Sequence, residues 1–114
     1  MDVIATDTFV EWYKALTTGE CDAVTEVVDL LEVMGVALPF PHSSAIKGAS
    51  IPLRELRATA NKSELRVFYA FDPARDAVLL VAGNKSGDKR FYERMAALAE
   101  REWFAYLAEN FPTK

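Results

Sequence analysis

Apolar residues recur along this chain in two rhythms, and the switches between them mark the elements. DVIAT, at the start, reads as a short strand. Phe9, Trp12, Tyr13 and Leu16 then follow at i, i+3, i+4 and i+7, the spacing of one helical face. Thr8 and Glu11 match a capping box at its N-terminus, in which hydroxyl and carboxylate satisfy orphan amides. A turn at Thr17–Gly19 leads to a second helix over about residues 20–34. Its Val24, Val27, Val28, Leu31 and Met34 form one stripe, while Asp22, Glu26, Asp29 and Glu32 fall off it, and Gly35 supplies a stop. VALPFPHSSAIKGASIP, residues 36–52, reads as a loop from its prolines, serines and Gly48.

Three strands are expected next: LRELRAT (53–59), ELRVFYAF (64–71) and DAVLLVAGN (76–84). The short polar connectors ANKS and DPAR make them an antiparallel meander, with Asp72–Pro73 and Asp76 as turn formers. AVLLVAG is apolar at consecutive positions, as in a central or well-covered strand. From Asp88 to Asn110 the helical rhythm returns, with Met95, Leu98, Ala99, Trp103, Tyr106 and Leu107 on one face and Pro112 beyond it. The predicted order is β-α-α-β-β-β-α. It describes an α+β domain over residues 1–114 whose small antiparallel sheet, mixed if the first strand joins it, has its helices packed on one side.

Composition narrows the function classes. With 114 residues, half of them apolar, the chain can bury a core without a metal or disulfide staple. No apolar run approaches the ~18 residues of a membrane span, and MDVIATDTFVEW lacks the basic start of a signal peptide. A cytoplasmic protein with no membrane partner is expected. Cys21 stands alone, which excludes a disulfide framework and cysteine zinc patterns, and the single His42 lies in a loop. Cys21 reads as a small buried or half-buried residue, and neither a metal nor a cofactor is expected.

Charge changes the picture more. The net charge is −4, but residues 1–42 carry one cation against eight carboxylates, whereas residues 43–94 carry ten cations against six. An acidic block precedes a basic one, so the domain is no general polyanion binder yet has room for a local anion site. Arg54 and Arg57 fall on the first strand of the meander and Arg66 on the second. Lys85 lies just past the third, and Lys89, Arg90 and Tyr92 fall at the start of the last helix. Strands about 4.8 Å apart can gather such scattered residues, but a one-residue slip in register would turn them to opposite faces. Simpler roles are open to each. Arg54 and Arg57 can pair with Glu55 and Glu64 on a solvated face, Arg66 can stack among aromatic neighbours, and Tyr92, Phe68, Tyr69 and Phe71 can be core. Cations at a helix start oppose the helix dipole, a local misfit that favours a function for Lys89 and Arg90. GNKSG lacks the GxxxxGK[ST] spacing of a phosphate-binding loop.

The ordered set LPFPHSSAIKG, ELR, ELRVFYAF, VLLVAGNKSG and FY resembles HigB-like, phage-protein-related members of the RelE/ParE superfamily, the toxins of type II toxin–antitoxin pairs. The likeness runs from about residue 3 to 108. It implies a RelE-like fold and a metal-independent endoribonuclease acting on mRNA, commonly on the ribosome. It also implies a cognate helix-turn-helix antitoxin as partner. By the same resemblance, Arg57, Arg66, Lys85 and Tyr92 are the catalytic candidates, with Arg54, Lys89 and Arg90 as RNA contacts. Where some relatives place a lysine two residues before the ELR arginine, this chain has Glu55. A non-nucleolytic protein, such as a ParE-type gyrase inhibitor, is the alternative. Tight clustering of the candidates favours the nuclease; Glu55 bridging dispersed arginines favours the alternative.

Overall fold

The computed structural model describes residues 1–113. Its strands are β1 (Val3–Ala5), β2 (Ser43–Ala45), β3 (Arg54–Ala60), β4 (Ser63–Phe71) and β5 (Ala77–Asn84). Its helices are α1 (Asp7–Lys14), α2 (Thr18–Met34) and α3 (Phe91–Asn110), with a 3-10 turn at Gly35–Ala37. The strands form one mixed sheet in the order β1-β5-β4-β3-β2, parallel only between β1 and β5. The meander stands as its connectors suggested. Asn61, at φ 54°, makes the tight β3–β4 reversal in a conformation that asparagine tolerates. At the β4–β5 turn, Asp72 accepts from the Asp76 amide through Oδ1 and Asp72 N donates to the Asp76 carbonyl.

Helix starts differ from the sequence reading in an instructive way. The N-cap of α1 is Thr6, not Thr8: its Oγ1 accepts from Phe9 N and donates to the Leu80 carbonyl, so one hydroxyl joins the end of β1, the helix and β5. The capping box belongs to α2, where Thr17 Oγ1 accepts from Glu20 N and Thr17 N donates to Glu20 Oε1; that backbone donor, then the Ser63 hydroxyl on Oε2, hold the Glu20 carboxyl below its usual range. Helix α2 thus begins inside the stretch read as a turn. Gly35 ends it at φ 56°, where only glycine is unstrained. Part of the presumed 36–52 loop is β2, held to β3 by the register Ser43↔Leu56 and Ala45↔Arg54.

The larger correction concerns the layers: helices cover both faces of the sheet. Leu65, Val67 and Tyr69 of β4 face α1 and α2, packing with Phe9, Val24, Val27 and Leu31. Phe68 and Ala70 point the other way, with Phe91, Met95, Ala99 and Trp103 of α3. The consecutive apolar run of β5 serves both faces, and a register shift beside Phe68/Tyr69 places Leu80 and Val81 together on the α3 side. Phe68 is fully buried, so its truncation to alanine would cost about 3–5 kcal/mol. The far end of α3 is fastened by Tyr106, whose hydroxyl donates to Asp72 Oδ2 over 2.8 Å. Desolvation, then that hydrogen bond, push the phenol pKa up to about 12. Among the described residues no helix is long and apolar enough to cross a membrane.

Candidate functional site

Register decides which cations meet. Arg57 lies directly opposite Arg66, and Arg66 opposite Gly83, so the side chains of both arginines belong to the α3 face with Glu55 and Phe68. Arg54 pairs with Tyr69 and belongs to the other face, where its Nε donates to Ser43 Oγ, itself 2.5 Å from the Tyr69 hydroxyl. The structure therefore separates Arg54 from the other candidates and brings Arg57, Arg66, Lys85 and Tyr92 to one end of one face.

Each side chain is held by its element. Lys85 follows β5, its amide donating to the Glu64 carbonyl. Asn84 Oδ1 accepts from both Glu64 N and Ser86 N, and Ser86 Oγ donates to the Lys62 carbonyl, which locks this loop against the β3–β4 turn. Asp88 N donates back to the Lys85 carbonyl, and Asp88 pairs with Arg94, starting α3 a few residues later. Phe91 then sits against Gly83: a Cβ there would lie 2.9 Å from its ring. The absence of a side chain at Gly83 thus lets α3 begin close to the sheet, and this places Tyr92 over the site.

The chemistry centres on a carboxylate. Glu55, only 6% exposed, receives the Tyr92 hydroxyl on Oε1 over 2.7 Å and Ser44 Oγ on Oε2 over 3.0 Å. Arg66 Nε lies 3.3 Å from the same Oε1, an ion pair too poorly aligned to count as a hydrogen bond. The Arg66 guanidinium is 3% exposed; one Nη donates to the Leu65 carbonyl and the other lies 3.9 Å from Glu64 Oε1. Lys85 Nζ is 3.8 Å from that same Glu64 oxygen and 6.0 Å from the Tyr92 ring. Desolvation, then the bond to Glu55, raise the Tyr92 phenol above its ordinary value, partly opposed by Arg66.

Accessibility divides these groups. Arg66 is neutralised and covered, so it has no free edge for an anion. Arg57, half-buried, stacks over the Phe40 ring at 5.3 Å, and Lys85 keeps about a quarter of its side chain open. Lys89 and Arg90 are fully on the surface in the loop between Lys85 and Tyr92. Two arginines directly across a ladder repel. With Glu55 against Arg66 and Glu64 shared between Arg66 and Lys85, the outward positive charge comes from Arg57 and from Lys89 and Arg90 in the loop. Beside Tyr92 lies a recess of about 340 Å³ lined also by Ile46, Lys47, Ala96 and the carboxylates Glu93 and Glu100. Sequence reasoning placed Glu55 and Glu64 on a solvated face and passed over Ser44. The available signal was an arginine inside the aromatic strand ELRVFYAF, which requires a buried counter-charge.

Comparison with known proteins agrees with this architecture. Residues 11–103 match the family model described as phage derived protein Gp49-like. The chain is 34% identical over 112 residues to a Mycobacterium tuberculosis protein named "Putative toxin HigB3", covering 96% of both chains. It is 33% identical over 106 residues to "Putative toxin HigB2" of the same organism, spanning 90% of this chain and 53% of that protein. The free structure of a doubly substituted E. coli toxin RelE superposes with a TM-score of 0.55, over 84% of this chain and 95% of that one. At 10% identity, that likeness speaks to the fold, which is RelE-like.

Proposed function

Because this chain belongs to the Gp49-like family of HigB-type toxins, we propose that it is the toxin of a type II pair. Its residues 1–114 would act as one cytoplasmic domain, a metal-independent endoribonuclease that cuts mRNA on the ribosome. What supports this reading is the register that sets Arg57 beside Arg66 on the α3 face, with Lys85 and Tyr92, from two further elements, 6.0 Å apart at the end of that face.

Metal-free cleavage of RNA needs the ribose 2′-hydroxyl to attack its own phosphate. Arg57 and Lys85 are the reachable cations for the phosphoryl oxygens, the term that commonly dominates such catalysis. Glu64 is half exposed beside Lys85 and is the carboxylate that solvent, and hence a 2′-proton, can reach. The Tyr92 ring, between Lys85 and the recess, suits stacking of a base next to the scissile step. Lys89 and Arg90 extend the charge along a bound strand. Arg66 supports the site from below. A cognate antitoxin is the expected protein partner.

The test is primer extension on transcripts with ribosomes present. Lys85→Ala should lower cleavage by about 10²-fold, the worth of one such donor, with melting unchanged. Undiminished cutting would remove Lys85 from the mechanism. One observation favours a second reading, a non-nucleolytic inhibitor of the gyrase type: the Glu55–Arg66 pairing withdraws one cation from the surface. Intact transcripts together with blocked DNA supercoiling would establish that reading instead.

A further inference from the structure

Glu55 joins side chains of three other elements in the buried part of the site, and none of the roles above uses it. It stands on β3 and holds one residue from each of three other elements: Ser44 of β2, Arg66 of β4 and Tyr92 of α3. Its oxygens face those three donors and not solvent, so no lone pair is presented to a ribose hydroxyl, which rules it out as the general base in this geometry. Tyr92 OH points its proton at the same carboxylate, so that proton is committed and is not aimed at a leaving oxygen.

We propose that Glu55 is the positioning residue of this site, fixing the Tyr92 ring as a stacking platform and drawing Arg66 inward as an anchor. This rests on the nuclease reading for what the platform binds, but the hold on Tyr92 stands on geometry alone. Three features make the clamp specific. The Phe68 and Phe91 rings make T-shaped contacts with Tyr92, at centroid distances of 6.0 and 5.4 Å, and pack it in place. The bond to Glu55 fixes its tip. Arg66 lies against the same Oε1, so the carboxylate that holds the ring is itself held. Tyr92 also lines the recess, and Lys85 Nζ lies over its ring at 6.0 Å.

Two measurements on the full chain test this. With 13C-labelled tyrosine, the Tyr92 Cζ resonance, assigned through Tyr92→Phe, should titrate above the usual phenol range. Its midpoint should fall in Glu55→Gln, which keeps the shape but removes the charge. Binding of a short 2′-O-methyl RNA, which cannot be cut, should weaken tenfold or more in Glu55→Gln and in Tyr92→Leu. In Tyr92→Phe, which keeps the ring but removes the clamp bond, binding should fall as far as in Glu55→Gln; binding within about threefold of wild type would show that the bond does not position the ring and would overturn the proposal. Cleavage by Tyr92→Phe that is slower but keeps the wild-type pH profile supports a platform; loss of the alkaline limb would assign Tyr92 a proton-transfer role and overturn the proposal. An unmoved Tyr92 midpoint in Glu55→Gln would overturn it as well. A moved midpoint in a protein that neither binds nor cuts RNA would sustain the clamp and remove the nuclease reading.

Discussion

Replacing Arg66 with alanine strips the counter-charge from a carboxylate that is only 6% exposed. Breaking one side of a buried ion pair costs about 3–5 kcal/mol, because the surviving charge stays desolvated. Here Tyr92 and Ser44 still donate to Glu55, so the low end of about 3 kcal/mol applies. For a domain of this size that corresponds to a fall in Tm of roughly 12 °C. The assay is thermal and urea unfolding of wild type, Arg66→Met, Glu55→Leu and the double variant. Each single change should destabilise strongly, and the double should recover most of the loss, since an apolar pair of similar volume often equals a buried ion pair. A Tm for Arg66→Met within about 3 °C of wild type would refute the reasoning. The pair would then be solvated in solution, and Arg66 would be free to meet a phosphate directly. The same experiment warns against using Arg66→Ala as a probe of catalysis, because lost activity would follow from lost fold.

Gly83→Ala should lower Tm and activity together, since its methyl group would meet Phe91 at 2.9 Å and push the start of α3 off the sheet; equal melting curves would show that α3 can yield at no cost. At alkaline pH the folded protein keeps the Tyr106 proton up to about 12, while the unfolded chain releases it near 10. That contribution to stability is therefore complete below about pH 10 and is lost as pH rises through about 12. Tyr92 and Tyr13, also raised, act in the same direction. Urea midpoints between pH 9 and 12 should fall less steeply in Tyr106→Phe than in wild type.

The meander and three helices were legible because their signals are local: alternating strands, polar connectors and helical spacing. What escaped was set by distant partners. HSSAI carries no strand signal, and β2 exists because β3 offers it a ladder. Thr8–Glu11 fits a capping template, but the chain is still extended at Thr6, where the β5 carbonyl of Leu80 fixes the cap. AVLLVAG did say that both faces were covered; only the second helical layer was not drawn from it. At the site, the convergence of Arg57, Arg66, Lys85 and Tyr92 was readable as a possibility that register alone could decide. The burial of Glu55 was not, because a carboxylate between two arginines in sequence looks solvated until Phe68 and α3 close over it.

A sheet that divides the interior into two compartments also divides what substitutions can do. Along β4, every second side chain looks toward α1 and α2, and its neighbour looks toward α3. Changes at 65, 67 and 69 weigh on robustness alone, whereas changes at 66 and 68 also tilt the roof over the charged spot. The wall between them lets one side drift, exchanging one aliphatic for another, while the opposite side keeps its geometry.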